Sequence, residues 1–370
     1  MGRGPSAQGS FVAHWLMCWA FCASATGVFA QDLLSRAAAA RDSGDVPAAL
    51  SLYRQVVREK PESVEGWLSL GLMAYQSGQF ADGRQAFTEL TRLSPQVPLG
   101  WAFLGLCEFE TGDYPTALGH LDQALAPAAR LNPTVRQVAR FHRALLLTRA
   151  GAFDRGREEL TALVRSGTRD PELILGLGLN ALEIRALPSQ VSAAQRDLVE
   201  MAGNTAHAWA TGDPTQTETN IRSLLANYPR APGVHYLYAT YLLSTQPEAA
   251  IRELRRELEV NPGNAEARAT LALRLIATGS PAAALPLAAK AAADAPDSAV
   301  AHYAYGLALT GARAWSDAIR HFKIAIRIDS NNLSYHIALA TAFSEAGLYA
   351  EALSERQTSI NLAKVPRGKS

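Results

Sequence analysis

The sequence predicts an all-α protein made of stacked helix–turn–helix units. Three observations carry this. Apolar residues recur at three- and four-residue steps, the spacing of one helix face, and convincing strand alternation is absent. Glycines and prolines punctuate these helical runs at regular intervals. Small residues also return at a fixed distance: Gly71 and Gly105, and then Ala272, Gly306 and Ala340, are separated by steps of 34 residues.

The clearest unit is Gly66 to Pro95. Trp67, Leu70, Gly71 and Ala74 share one face of a first helix, and Gly78 stops it, since glycine is a poor helix interior residue and a ready C-terminal stop. Phe80, Gly83, Phe87 and Leu90 share a face of a second helix, which Pro95 ends. Gly71 and Gly83 are expected on facing surfaces, where a missing side chain lets the helices approach. Two such helices cannot bury both apolar faces alone, so neighbouring copies must stack on them.

The same grammar recurs at Trp101-Leu104-Gly105 with Gly112, Tyr114 and Leu121, at Ala144 with Gly151 and Phe153, and at Leu177-Gly178. It resumes at His235-Tyr238-Ala239, then at Leu271-Ala272, Tyr305-Gly306 and Leu339-Ala340. This period, with Trp, Leu-Gly, Ala, Phe and Pro in these slots, resembles the tetratricopeptide repeat over roughly residues 31–363. The resemblance implies a right-handed α-solenoid of about nine stacked repeats, with one degenerate repeat near the middle. It also implies that the first helices line a concave side and the second helices pack outside them.

The ends and breaks set the organisation. Residues 1–30 run from a weakly basic start (Arg3) through an apolar stretch to small residues, the order of a signal peptide. Cleavage is expected after Ala30, with Ala25 as a second site; left uncleaved, the segment would anchor the chain to a membrane. Residues 31–63 form a worn first repeat, with Arg36 where later copies carry Leu70 and Leu104. At the far end Arg356 and Ser359 replace Phe322 and Ala325 in what is expected to be the outward face, and 364–370 is a basic, disordered tail. About five extra residues around Pro127 to Pro133 predict a longer turn. A larger irregularity comes after Glu183, where Leu187-Pro188-Ser189-Gln190-Val191 stands in place of a second helix; Ser192 then caps a helix toward Thr211. This divides the chain into stacks 31–186 and 192–363 around a loop, 187–191, whose Pro188 and Gln190 are candidate partner contacts; simple repeat decay explains the break as well.

Composition narrows the function. The net charge is +1, and removing the leader takes Arg3 with it, so the broad positive field of nonspecific nucleic-acid binding is missing. Cys18 and Cys22 lie in the leader, and Cys107 alone cannot form an internal disulfide. His235, His302 and His336 share the slot of Trp67 and Trp101, and His120 and His321 share another, so they read as scaffold rather than metal ligands. The run Arg252 to Glu259 has the charge spacing of a solvated helix surface. No nucleophile setting and no phosphate-binding glycine loop accompany the serines and glycines. The expectation is no enzyme, no metal and no cofactor.

The groove expected from the resemblance lies one residue after each interior slot, at Leu68, Leu72 and Tyr75, then Leu106 and Phe109, Phe141 and Leu145, Tyr236 and Tyr303. This lining is apolar and aromatic, fit for an amphipathic helix or extended peptide, though packing between adjacent first helices explains it equally. Chaperone-binding members of the family carry Lys, Asn and Arg at such positions; here Leu68, Ala102 and Phe141 stand there. The reading is an exported scaffold, periplasmic or secreted, that binds other proteins or peptides and no nucleic acid, with self-association left open. The alternative is a membrane-tethered adaptor or a regulatory subunit of an envelope enzyme or export complex.

Overall fold

The computed structural model describes residues 28–168 and 170–364. The expected leader, save its last three residues, and the tail beyond Lys364 lie outside them. Among the described residues there are nineteen α-helices and no strand.

Two compact units divide the chain between Leu147 and Thr148. The first holds α1 (Val28–Asp42), α2 (Val46–Glu59), α3 (Val64–Gln76), α4 (Phe80–Leu93), α5 (Pro98–Thr111), α6 (Tyr114–Ala124) and most of α7 (Pro133–Ala150). The second holds α8 (Phe153–Arg165), α9 (Pro171–Ala181), α10 (Ala193–Ala210), α11 (Pro214–Asn227), α12 (Val234–Leu242) and α13 (Pro247–Val260). It continues through α14 (Ala265–Ala277), α15 (Pro281–Asp294), α16 (Ala299–Gly311), α17 (Trp315–Ile328), α18 (Leu333–Glu345) and α19 (Tyr349–Lys364). The segment 187–191, expected to separate two stacks, lies inside the second unit.

Local chemistry sets the helix ends. Ser63, Asn264, Ser298 and Asn332 each accept a backbone N–H of the first turn through the side chain, supplying a partner that the helix itself cannot. The turns between paired helices place Gly78, Gly112, Gly279 and Gly347 at φ between 73° and 86°, a region that costs any residue with a Cβ. Arg313 fills the equivalent turn between α16 and α17 at φ 58°.

The unit from Gly66 to Pro95 packs differently from the expectation at Gly71. That glycine accommodates the ring of Phe87 rather than a helix backbone: a Cβ there would lie 2.7 Å from the ring. Phe87 in turn stacks on Phe103 of α5 with centroids 5.4 Å apart. Small side chains do the same work further on, where Ala269, Ala272, Ala284, Ala288, Ala301 and Ala304 form one buried cluster of α14, α15 and α16.

The middle of the chain keeps the break read at 187–191 and adds a pair that the sequence reading did not recognise. The helix that follows Ser192, α10, is joined by α11, which has Asp213 as its N-cap and buries Thr217, Ile221 and Leu224. That pair was obscured because Thr217 holds the slot of Gly83. The unpaired helix is α9. Residues 182–192 stand in place of its second helix, and α10 packs back against it so closely that backbones touch. An alanine Cβ at Gly178 would lie 1.9 Å from the Val199 carbonyl oxygen, and one at Gly203 2.0 Å from that of Ile174.

The far end needs one further correction. Ser359 is buried against α18 rather than facing outward, and its hydroxyl donates to the Glu355 carbonyl at 2.9 Å. Arg356 is exposed, as expected.

Candidate functional site

The expected groove residues separate into two groups. Leu106, Leu145 and Tyr236 are buried and belong to the interior, so they offer no open surface. Leu68, Leu72, Tyr75, Phe109, Phe141 and Tyr303 are half-buried. Even these are engaged. Tyr75 meets Phe80 and Phe103 edge-on at 5.5 and 5.2 Å, and burial raises its phenol pKa. Phe109 lies 4.7 Å from the His142 ring, and Tyr303 4.9 Å from Tyr335. Packing between first helices therefore uses much of the lining, because adjacent repeats bring the same slots face to face.

The segment 187–191 is folded back on itself, with Ser189 and Gln190 exposed. Leu187 and Pro188 are buried, and the exposed Gln190 turns its side-chain oxygen back to accept the Leu187 N–H at 2.9 Å. The turn satisfies itself.

The histidines tie repeats together. Trp67 and Trp101 donate their indole N–H to the carbonyl oxygens of Pro61 and Pro95, at 2.7 and 2.8 Å. His235 and His302 make the same six-residue reach to Pro229 and Pro296, each at 3.1 Å, and His336 reaches Ser330 at 3.0 Å. Arg268 fills the slot in its own unit and donates to Pro262. In these six units a hydrogen-bonding ring or fork thus holds the start of a first helix to the end of the preceding second helix. The other ring nitrogen faces the following helix: His235 Nδ1 lies 2.7 Å from Glu253, His336 Nδ1 2.8 Å from Glu355, and His302 Nδ1 2.9 Å from His321 Nδ1. Among the described residues no three His, Cys, Asp or Glu side chains gather as a metal-holding group.

The run Arg252 to Glu259 is solvated on one side only. Arg252, Arg255, Arg256 and Glu259 are exposed, whereas Glu253 and Glu257 are buried. Glu257 accepts the N–H of Gly233 at 2.8 Å and of Tyr236 at 3.3 Å, so a carboxylate from α13 caps the start of α12.

One concavity stands out in the second unit: a cavity of about 250 Å³ among α8, α9, α10 and α12. Leu177, Ala181, Ala206 and Leu237 supply apolar wall, Trp209 and Tyr236 aromatic wall, and Arg157, Thr161, Arg165 and Asn180 its polar groups. Asn180 is fixed there, donating to Thr148 Oγ1 at 3.0 Å and to the Phe153 carbonyl at 2.9 Å. Trp209 is 38% exposed and braced edge-on by Tyr241 at 5.7 Å. Arg157 is paired with Asp154 at 3.0 Å. Nearby Glu183 has its carboxyl pKa raised well above the ordinary value by burial, then by Glu266, against the pull of Arg157. Its Oε1 is buried without a hydrogen-bond partner among the described residues, on a backbone at φ 55°.

Of the expected site residues, only Tyr236 lines this cavity. The sequence reading missed Trp209, Arg157 and Asn180. Trp209 was the available signal, an aromatic in a helix outside the recognised register. Its value depends on α9 lacking a second helix, which leaves α10 free to enclose the space.

A family model described as tetratricopeptide repeat matches residues 34–98, 74–133 and 269–333. The chain carries tetratricopeptide repeats. The matches omit 134–268, where the threonine-for-glycine exchange and the lone α9 disturb the pattern, and they stop before α19. Repeats of this kind make the chain a protein–protein interaction scaffold, and no catalytic family is indicated. No curated protein matches the sequence. Among solved structures the chain is similar to MamA 41-end from Desulfovibrio magneticus RS-1, at 18% identity, 46% of this chain, 97% of that one and a TM-score of 0.39. It is similar to the APC/C hetero-tetramer Cut9–Hcn1, at 15% identity, 91% and 66% coverage and a TM-score of 0.41. Yeast Tom70 aligns at 12% identity, 90% and 85% coverage and a TM-score of 0.36.

Proposed function

We propose that this scaffold works in the cell envelope, holding a peptide or helix of a partner protein with the cavity of the second unit as anchor. The observation that carries this is the cavity beside Trp209: apolar and aromatic walls that fit one large side chain, with polar groups at fixed positions to orient the backbone that bears it. An anchor of this kind supplies most of the affinity from a few desolvated contacts.

Export rests on the order of residues 1–30, and cleavage after Ala30 is its expected mark. Among the described residues no helix is long and apolar enough to cross a membrane.

The experiment is site-specific crosslinking in the living host. A photoreactive side chain at Trp209 should capture one discrete partner, whereas the same probe at exposed Glu218 on α11 should not. Capture from both positions alike, or from neither, would remove the cavity as anchor. Sequencing the N-terminus of the chain recovered outside the cytoplasm tests export separately, with Gln31 expected as the first residue.

A further inference from the structure

We propose that the α18–α19 end of the repeat array is a self-association surface, on which a second copy of this chain docks through α19. The argument begins with the repeat itself. In the preceding unit, Ile319, Phe322 and Ile326 of α17 pack against Leu339, Ala342 and Phe343 of α18. Moving 34 residues along places Leu353, Arg356 and Ile360 of α19 in those slots, and Tyr349 in that of Trp315. The first helix behaves alike: Ile337 of α18 stands where α16 carries Tyr303, whose ring lies 4.9 Å from that of Tyr335 in the next first helix.

Every residue of this stacking face is uncovered among the described residues. Tyr349 is 70% exposed, Leu353 64%, Ile337 51% and Ile360 48%. The end unit of such an array ordinarily turns a polar face outward, because nothing stacks on it. At the N-terminal end Arg36 does so. Here three of the four α19 positions keep the apolar character of an internal interface, so the face continues an interface already built in the fold.

The pattern selects its occupant. Tyr349, Leu353, Arg356 and Ile360 are spaced four, three and four residues apart, the seam of two packed helices. An antiparallel pair about a two-fold axis near the middle of α19 sets the Tyr349–Leu353 half of one copy against Ile360 of the other. The single charged side chain on the stripe, Arg356, donates to Ser344 Oγ of its own α18 at 3.0 Å, which leaves the apolar positions on either side of it to make the contact. Surface and occupant are thus the same patch, the self-complementary arrangement that closes a two-fold dimer and stops further growth. With α18 of each copy alongside, the contact becomes a four-helix bundle that also covers Ile337.

Light scattering on the full chain tests this. The wild-type protein is expected at twice the chain mass at micromolar concentration. The double variant Leu353→Glu with Ile360→Glu is expected at a single chain mass, with unchanged helical circular dichroism and melting midpoint, since both side chains already face solvent. A second variant, Gln357→Cys, beside the stripe, should form an oxidised dimer in a Cys18→Ser, Cys22→Ser background, and the same background without Gln357→Cys should not. A wild-type chain that is monomeric throughout overturns the proposal, and so does a dimer that survives the double substitution. A dimer in which Gln357→Cys fails to crosslink overturns the antiparallel arrangement.

Discussion

The close crossing of α9 and α10 makes one chemical change have opposite consequences at different glycines. Gly178→Ala would set a Cβ 1.9 Å from the Val199 carbonyl oxygen and 3.0 Å from the Gly203 nitrogen. Both neighbours are backbone, so neither can swing aside, and the helices must separate by more than 1 Å to reach ordinary contact. Separation would loosen the cluster of Leu175, Leu179, Val199 and Ala202, all buried at this crossing. Overpacking costs typically about 1–3 kcal/mol, and a contact with two rigid partners belongs at the upper end, about 3 kcal/mol. For a unit of this size that lowers the melting midpoint by about 6–12 °C. Gly119→Ala in α6 has nothing within 4 Å of the new methyl and should stabilise by about 0.5–1 kcal/mol, because alanine loses less backbone entropy in a helix. Circular dichroism melts of the two variants, with hydrogen exchange on the α9–α10 amides, make the comparison. If Gly178→Ala melts with wild type, or shifts in the same direction as Gly119→Ala, the backbone contact does not exist.

Three further outcomes rest on single residues. Arg313→Gly should stabilise the second unit by about 1 kcal/mol, since Arg313 stands at φ 58° in a turn where Gly279 and Gly347 supply the equivalent residues; a melt reports it. Glu257→Ala should cost about 3 kcal/mol or more, because the buried Gly233 N–H loses its acceptor, and denaturant unfolding with exchange at α12 would show it. The facing His302 and His321 make stability depend on pH. Burial and the neighbouring His302 hold His321 down at about 4, and burial lowers His302 as well. A base whose folded pKa is depressed binds its proton more readily when unfolded. Its contribution is therefore intact above the ordinary value of 6.5 and lost as pH falls from there toward 4. His321→Phe should flatten the melting midpoint across that window, and an unchanged slope would assign the dependence to other groups.

The self-association surface shows where sequence and structure divide. That Leu353 and Ile360 repeat the slots of Ile319 and Ile326 is visible in the 34-residue register. That they are uncovered is not, because exposure depends on whether another helix packs over them in space. The same register led to a wrong orientation for Ser359, since one helix face and its neighbour differ by a single residue step. The run Arg252 to Glu259 was misread in part for a related reason: charge spacing describes a helix surface but not which part of that surface a neighbouring helix covers. Glu253 and Glu257 are buried by the helices beside α13.

The sequence by itself determined the class, the repeat and the helix punctuation. Those depend on interactions a few residues apart, such as capping side chains, turn glycines and the spacing of one helix face, and the period multiplies each signal along the chain. It also identified His235, His302 and His336 as parts of the scaffold, because they recur in a slot that tryptophan fills elsewhere. Only the tertiary structure decided that α11 pairs with α10, that Gly178 and Gly203 let two backbones touch, and that a cavity opens beside Trp209. Those features arise where the period fails. There local signals no longer specify the neighbour, and the packing of distant segments decides which faces are buried and which remain free to bind.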